Sequence, residues 1–287
     1  MIAHVAASDE DRGRVVLQVR SGRPHPVALE AAMRIARAFD SGLEALFVED
    51  EQLFDCAAYG FLRELSFSGR RRGAVSQVGM TRDLQLAAQG AHRQIELLAS
   101  VAQVPLQSRV MRDEPLRALS IACAESGPWN VVAFAEPFDV RAGGLLKHML
   151  QEIAGTTGVV MAGPKARRTV GPIVVAIEDV QQLSAMLMVA DRLAALDTAE
   201  IVLLLIAPDE ERLAWMEGEA RLAMEDREGV HIRCADLARG EAAVVAETLR
   251  RVRAGFVICQ FGGLVVPEEG NLAALTSVLE CPLFLVR

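Results

Sequence analysis

The chain has 287 residues, 30 Lys and Arg against 38 Asp and Glu, and a net charge of −8. The negative balance argues against nonspecific binding to nucleic acid or anionic membranes, and 52% hydrophobic residues are too many for disorder. Aromatic residues are 5% of the chain, so base-stacking platforms are not expected. The longest uncharged stretches fall short of the roughly 20 residues a membrane span needs. Residues 1–12 lack the apolar core of a signal peptide. Five widely spaced cysteines (Cys56, Cys123, Cys234, Cys259, Cys281), with no C-x-x-C pair, read as reduced thiols of a cytoplasmic protein.

In chain order, residues 14–19 form an apolar run. A helical pattern follows over 26–39, with Ala28, Ala32, Ile35 and Phe39 on one face. A turn at Asp40-Ser41-Gly42 leads to a strand over 43–48. Residues 53–65 have Leu53, Ala57, Phe61 and Leu65 at every fourth position, which predicts a short helix with an apolar stripe. A strand over 104–110, a helix over 115–125 and a strand over 131–134 come next, and a last helix and strand end at 158–162. Residues 163–172, rich in Gly, Pro and basic residues, read as a linker.

Beyond 172 the same order returns: strand 173–177, helix 183–196, turn Asp197-Thr198, strand 201–206, then strand 230–234, helix 241–252, strand 256–259 and strand 282–286. Phe39 matches Leu196 at an offset of 157, whereas Val131 matches Val257 at 126, so the first copy holds 31 extra residues at about 50–82. Nearly continuous apolar strands alternating with helices predict an α/β fold of two tandem Rossmann-like domains. Each is a five-stranded parallel sheet with helices on both faces. The boundary is placed between 1–164 and 165–287.

Two tandem β-α-β-α-β-α-β-α-β units, the second closing on Glu280-Cys281-Pro282-Leu283-Phe284-Leu285-Val286, resemble a tandem universal stress protein (UspA-like). The resemblance covers nearly the whole chain. It implies a cytoplasmic protein of stress response that associates as a homodimer or as a pseudo-dimer within one chain. One branch of that family binds ATP and another does not.

In an open parallel sheet the ligand crevice lies beyond the carboxyl ends of the strands. There the first copy offers Arg20, and the second offers Glu178 and Asp179, where ATP-binding members of the family carry an Asp. Asp179 also suits a helix cap. Those members carry Gly-x2-Gly-x9-Gly-[Ser/Thr] after the fourth strand. The first copy has Glu136-Pro137-Phe138-Asp139 there, which would repel phosphate, and keeps only Gly143-Gly144. The second has Gly262, Gly263, Gly270 and Asn271, with Glu268-Glu269 between them. A nucleotide cleft, if kept, would use Glu178, Asp179, Gly262, Gly263, Gly270 and Asn271. The alternative is that these glycines punctuate turns and that Glu268 and Glu269 occupy the first turn of the last helix.

No cofactor is expected, with ATP or another adenine nucleotide as the alternative, and no metal. The five histidines are scattered, and no nucleophile elbow or P-loop occurs. The expected function is therefore noncatalytic: ligand or protein binding in stress response. An ATP-binding protein using the second domain is the second reading, and a nucleotide-handling enzyme of the same fold group the third. Phe54, Tyr59, Phe61 and Phe67 in the insertion mark a candidate docking surface for an unknown protein partner, or else a lid over the first domain.

Overall fold

The computed structural model describes residues 13–20, 24–59, 63–65, 71–74, 77–125, 129–135, 143–153, 155–225, 227, 229–236, 242–268 and 272–287. The first half contains β1 (Arg14–Val19), α1 (Pro26–Ala38), β2 (Gly42–Asp50), α2 (Glu51–Ala58), β3 (Arg63–Leu65), β4 (Arg71–Ala74), α3 (Gln77–Ala102), β5 (Leu106–Asp113), α4 (Pro115–Ala124), β6 (Asn130–Phe134), α5 (Gly143–Gln151) and β7 (Thr156–Met161). The second contains β8 (Ile173–Ile177), α6 (Leu183–Ala194), β9 (Ile201–Ala207), α7 (Glu210–Ala223), β10 (Val230–Asp236), α8 (Ala242–Val252), β11 (Phe256–Gln260), α9 (Ala273–Thr276) and β12 (Leu283–Val286).

Each half is a parallel five-stranded sheet, ordered β5-β2-β1-β6-β7 and β10-β9-β8-β11-β12. The strand order reverses between β1 and β6 and between β8 and β11, which puts a crevice beyond each pair. The halves join edge to edge: β12 pairs antiparallel with β7, Leu283 opposite Met161 and Val286 opposite Gly158, giving one ten-stranded sheet. This junction needs a bare backbone edge on both partners, and Gly158 supplies the clearance, since a Cβ there would strike the Phe284 ring.

Alternate strand residues feed two cores, because successive side chains point to opposite faces. One face holds Leu29 and Ile35 of α1, Ile95 of α3, Leu187 of α6 and Met216 of α7 against Val15, Leu17, Leu203 and Leu205. The other holds Leu119, Leu150, Leu249 and Leu275 against Val16, Val132, Val174 and Val257. Both cores run through the seam, so the halves share their apolar interior. Across it, the buried Arg34 of α1 pairs with Asp197 beyond α6.

The segment between the halves is pinned rather than a free linker. Arg168 donates to the Ala254 carbonyl (3.2 Å) and to Glu280 (2.9 Å), and Ala162 and Ala166 pack on Val27 and Ala28 of α1.

The sequence places 31 extra residues at about 50–82; in the structure 55 residues separate β2 from β5, against 22 between β9 and β10. Their form differs from the prediction. The helix ends at Ala58, and Leu65 belongs to the β3–β4 hairpin, so the four-residue stripe from Leu53 to Leu65 is not one helical face. The remaining excess lengthens α3 to 26 residues, against 14 for α7. Among the described residues no helix is long and apolar enough to cross a membrane.

Candidate functional site

The crevice of the second half lies beyond β8 and β11. Strand β8 is fully buried and delivers Glu178 at its end; β11 hands over to Phe261-Gly262-Gly263-Leu264. The Glu178 carboxylate turns into this loop and accepts the backbone N–H groups of Leu264 and Val265, the latter at 3.0 Å. Consecutive N–H groups aimed at one point form an anion-binding concavity. Here the anion is the chain's own carboxylate.

The glycines are used accordingly. Gly262 adopts φ +86°, a left-handed turn, and its N–H bonds Val266 O at 2.8 Å. Gly263 faces the carboxylate so closely that a Cβ would collide with it. The clearance that could admit a phosphate therefore admits Glu178. Burial raises the Glu178 pKa, and the two amide bonds pull it partly back.

Asp179 points elsewhere: its side chain accepts the Gln181 N–H at 3.0 Å and caps the short 3-10 turn Val180–Gln182. Of the six predicted cleft residues, Glu178, Gly262 and Gly263 come together and Asp179 serves as a cap. Gly270 and Asn271 lie outside the described residues.

Glu268 is not in the first turn of the last helix, which starts only at Ala273; it pairs instead with Lys147 of α5 at 3.6 Å. Glu269 lies outside the described residues. The loop sequence holds no lysine, and sequence reading missed that one arrives from the other half. Its partner there is a glutamate.

In the first half, Gly143 and Gly144 open α5 instead of standing before it, and the acidic loop at 136–142 lies outside the described residues. Two cysteines of the second half are shielded by burial: Cys259 in β11 has its pKa driven up, and the Cys281 thiol, just before β12, is pushed up to about 12. Among the described residues no group of three or more His, Cys, Asp or Glu is arranged to hold a metal.

Of the predicted docking residues, Phe54 is only 7% exposed, under the Arg112 guanidinium at 4.1 Å, and is spent inside the chain. Its helix starts straight off β2, capped by the Asp50 carboxylate that accepts the Gln52 N–H at 3.0 Å, and packs on α3. Tyr59 is 58% exposed. Phe61 and Phe67 lie outside the described residues.

This architecture recurs in solved structures. A universal stress protein from Archaeoglobus fulgidus DSM 4304 superposes with a TM-score of 0.63 at 10% identity, covering 95% of this chain and 96% of that one. The fold is that of a tandem universal stress protein. A proposed universal stress protein from Pseudomonas aeruginosa UCBPP-PA14 gives 0.53 at 18% identity over 95% and 92% of the two chains. The cytoplasmic domain of a prokaryotic cation chloride cotransporter gives 0.51 at 12% identity over 96% and 95%. No protein-family model matches the sequence. No curated protein matches it either.

Proposed function

We propose that this chain is a noncatalytic protein of the universal stress type. It acts in the cytoplasm in stress response, by binding a ligand or a protein, with nucleotide cradles that no longer grip a triphosphate. One observation carries this reading: Glu178 occupies the amide concavity beyond β11. A phosphate entering there would have to displace a carboxylate and would meet its charge, and Glu268 adds a second negative group while taking up Lys147.

The test is the melting temperature of the full chain in millimolar Mg-ATP. No change is expected. A nucleotide present at a hundred times its Kd would stabilise the native state by about 2.7 kcal/mol. A rise of that order would replace this reading with nucleotide binding by the second half.

Glu178 also predicts a pH dependence. Because its folded pKa is raised, the native state holds the proton to higher pH than the unfolded chain. Its contribution is therefore most favourable below the ordinary carboxylate pKa of about 4.3 and falls as pH rises through the raised value. Glu178→Gln removes that fall. Denaturant titrations of both proteins across the acid-to-neutral range check it, and parallel curves would contradict it.

A further inference from the structure

The seam between the halves contains a cavity of about 630 Å³ that shares no lining residue with the Glu178 loop. Its volume falls in the range of about 300–1,000 Å³ typical of small-molecule sites. One wall is the outer face of α6, with Ala185, Met188 and Val189; the other is the aromatic pair Phe39 and Trp129, whose rings lie 5.7 Å apart at 60°. Phe284 and Val286 of β12 line it as well.

The cavity exists because the two halves are covered unequally. On the α1 side, Ala162 and Ala166 of the connecting segment pack on Val27 and Ala28 and close the surface. On the α6 side, Met188, four residues before Arg192, remains 56% exposed above open space. A methionine wall adapts readily to an unbranched chain, because the thioether is flexible and polarizable.

The charged side chains lining the cavity are Asp40, Arg192 and Arg287, two positive against one negative. The Arg192 guanidinium lies 5.3 Å from the Phe39 ring and makes no salt bridge to a described residue. A planar cation resting on an aromatic face beside an apolar cavity suits a carboxylate head attached to a hydrocarbon body.

We propose that this seam binds an amphipathic monocarboxylate of the fatty-acid type, its chain between α6 and the Phe39–Trp129 pair and its carboxylate on Arg192. The proposal names a ligand for the binding role proposed above and rests on that reading. Its test does not involve the Glu178 loop, so either can fail while the ATP and pH experiments stand.

Isothermal titration of the full chain uses decanoate below its micellar concentration, with 1-decanol and acetate as comparisons. Saturable 1:1 binding of decanoate and none of acetate is expected. A charge-assisted hydrogen bond contributes about 1.5–3 kcal/mol, so Arg192→Gln weakens decanoate by about 10- to 100-fold and leaves 1-decanol unchanged. Val189→Trp fills the cavity from a position that is already partly exposed, and abolishes binding of both while the circular dichroism spectrum is retained.

No saturable binding overturns the proposal, as does equal binding by the parent and both variants. A change from dimer to monomer in Val189→Trp, read by light scattering, assigns the groove to a second copy of this chain and overturns it too. Decanoate binding that appears only after removal of residues 1–12 shows that the chain's own amino-terminal segment competes for the groove, and likewise overturns it.

Discussion

Helices α1 and α6 occupy equivalent places in the two halves, yet their outer faces meet different surroundings. Ala28, Ala31 and Ala32 of α1 are all within 1% of full burial, with the connecting segment against Ala28. In α6 the corresponding surface carries Met188 and Val189 and borders a cavity. The duplication supplied two similar helices, and a single connecting segment can cover only one. The lesson is that a tandem repeat in one chain breaks its own symmetry at the connection, and the uncovered side becomes available for binding.

The largest expected effect tests how α1 packs on the sheet. Leu29 of α1 is fully buried, so Leu29→Ala should cost about 2–5 kcal/mol, measured by urea unfolding. A cost below 1 kcal/mol would show that α1 does not bury Leu29 against the sheet in solution.

Next comes the link between the two helices. Asp197 pairs with Arg34, whose side chain is 7% exposed and whose Nε and Nη2 have no hydrogen-bond partner among the described residues. Asp197→Ala strands a buried guanidinium. Breaking a fully buried pair costs about 3–5 kcal/mol, and with Asp197 one-third exposed about 1–3 kcal/mol is expected. Arg34→Met should cost less than Asp197→Ala, because it removes the charge and leaves the volume. The reverse ranking would mean that the pair is not what ties α1 to α6.

The smallest effect tests the open side. Met188→Ala should change stability by no more than about 0.5 kcal/mol, because its side chain has little packing to lose. A loss of 2 kcal/mol would show that the cavity closes in solution.

Much of the architecture was legible in the sequence. The strands β8 and β9 are uninterrupted apolar runs because each is buried on both faces, which points to a parallel sheet. An insertion at about 50–82 was legible as an expectation from the change in repeat offset. Its shape was not, because the four-residue spacing from Leu53 to Leu65 spans a helix end and a hairpin strand that share no axis. The candidate site was legible only in part. Glu178 and Gly263 stood out by their place at strand ends, but the carboxylate bonds Leu264 and Val265, 86 and 87 positions further on, and the glycine pattern alone reads equally as a phosphate loop. The destination of Phe54 was hidden for the same reason: its partner Arg112 lies on a strand that pairs with β2 across the whole insertion.

The sequence by itself determined the element order, the duplication and the burial of each strand, since these follow from hydrophobic periodicity and turn residues within short windows. Only the tertiary structure decided that the two sheets fuse through β7 and β12, that Glu178 fills the amide concavity, and that a cavity opens beside α6. Those outcomes depend on backbone edges, amide directions and leftover volume, which arise when distant segments meet and leave no periodic trace in the order of residues.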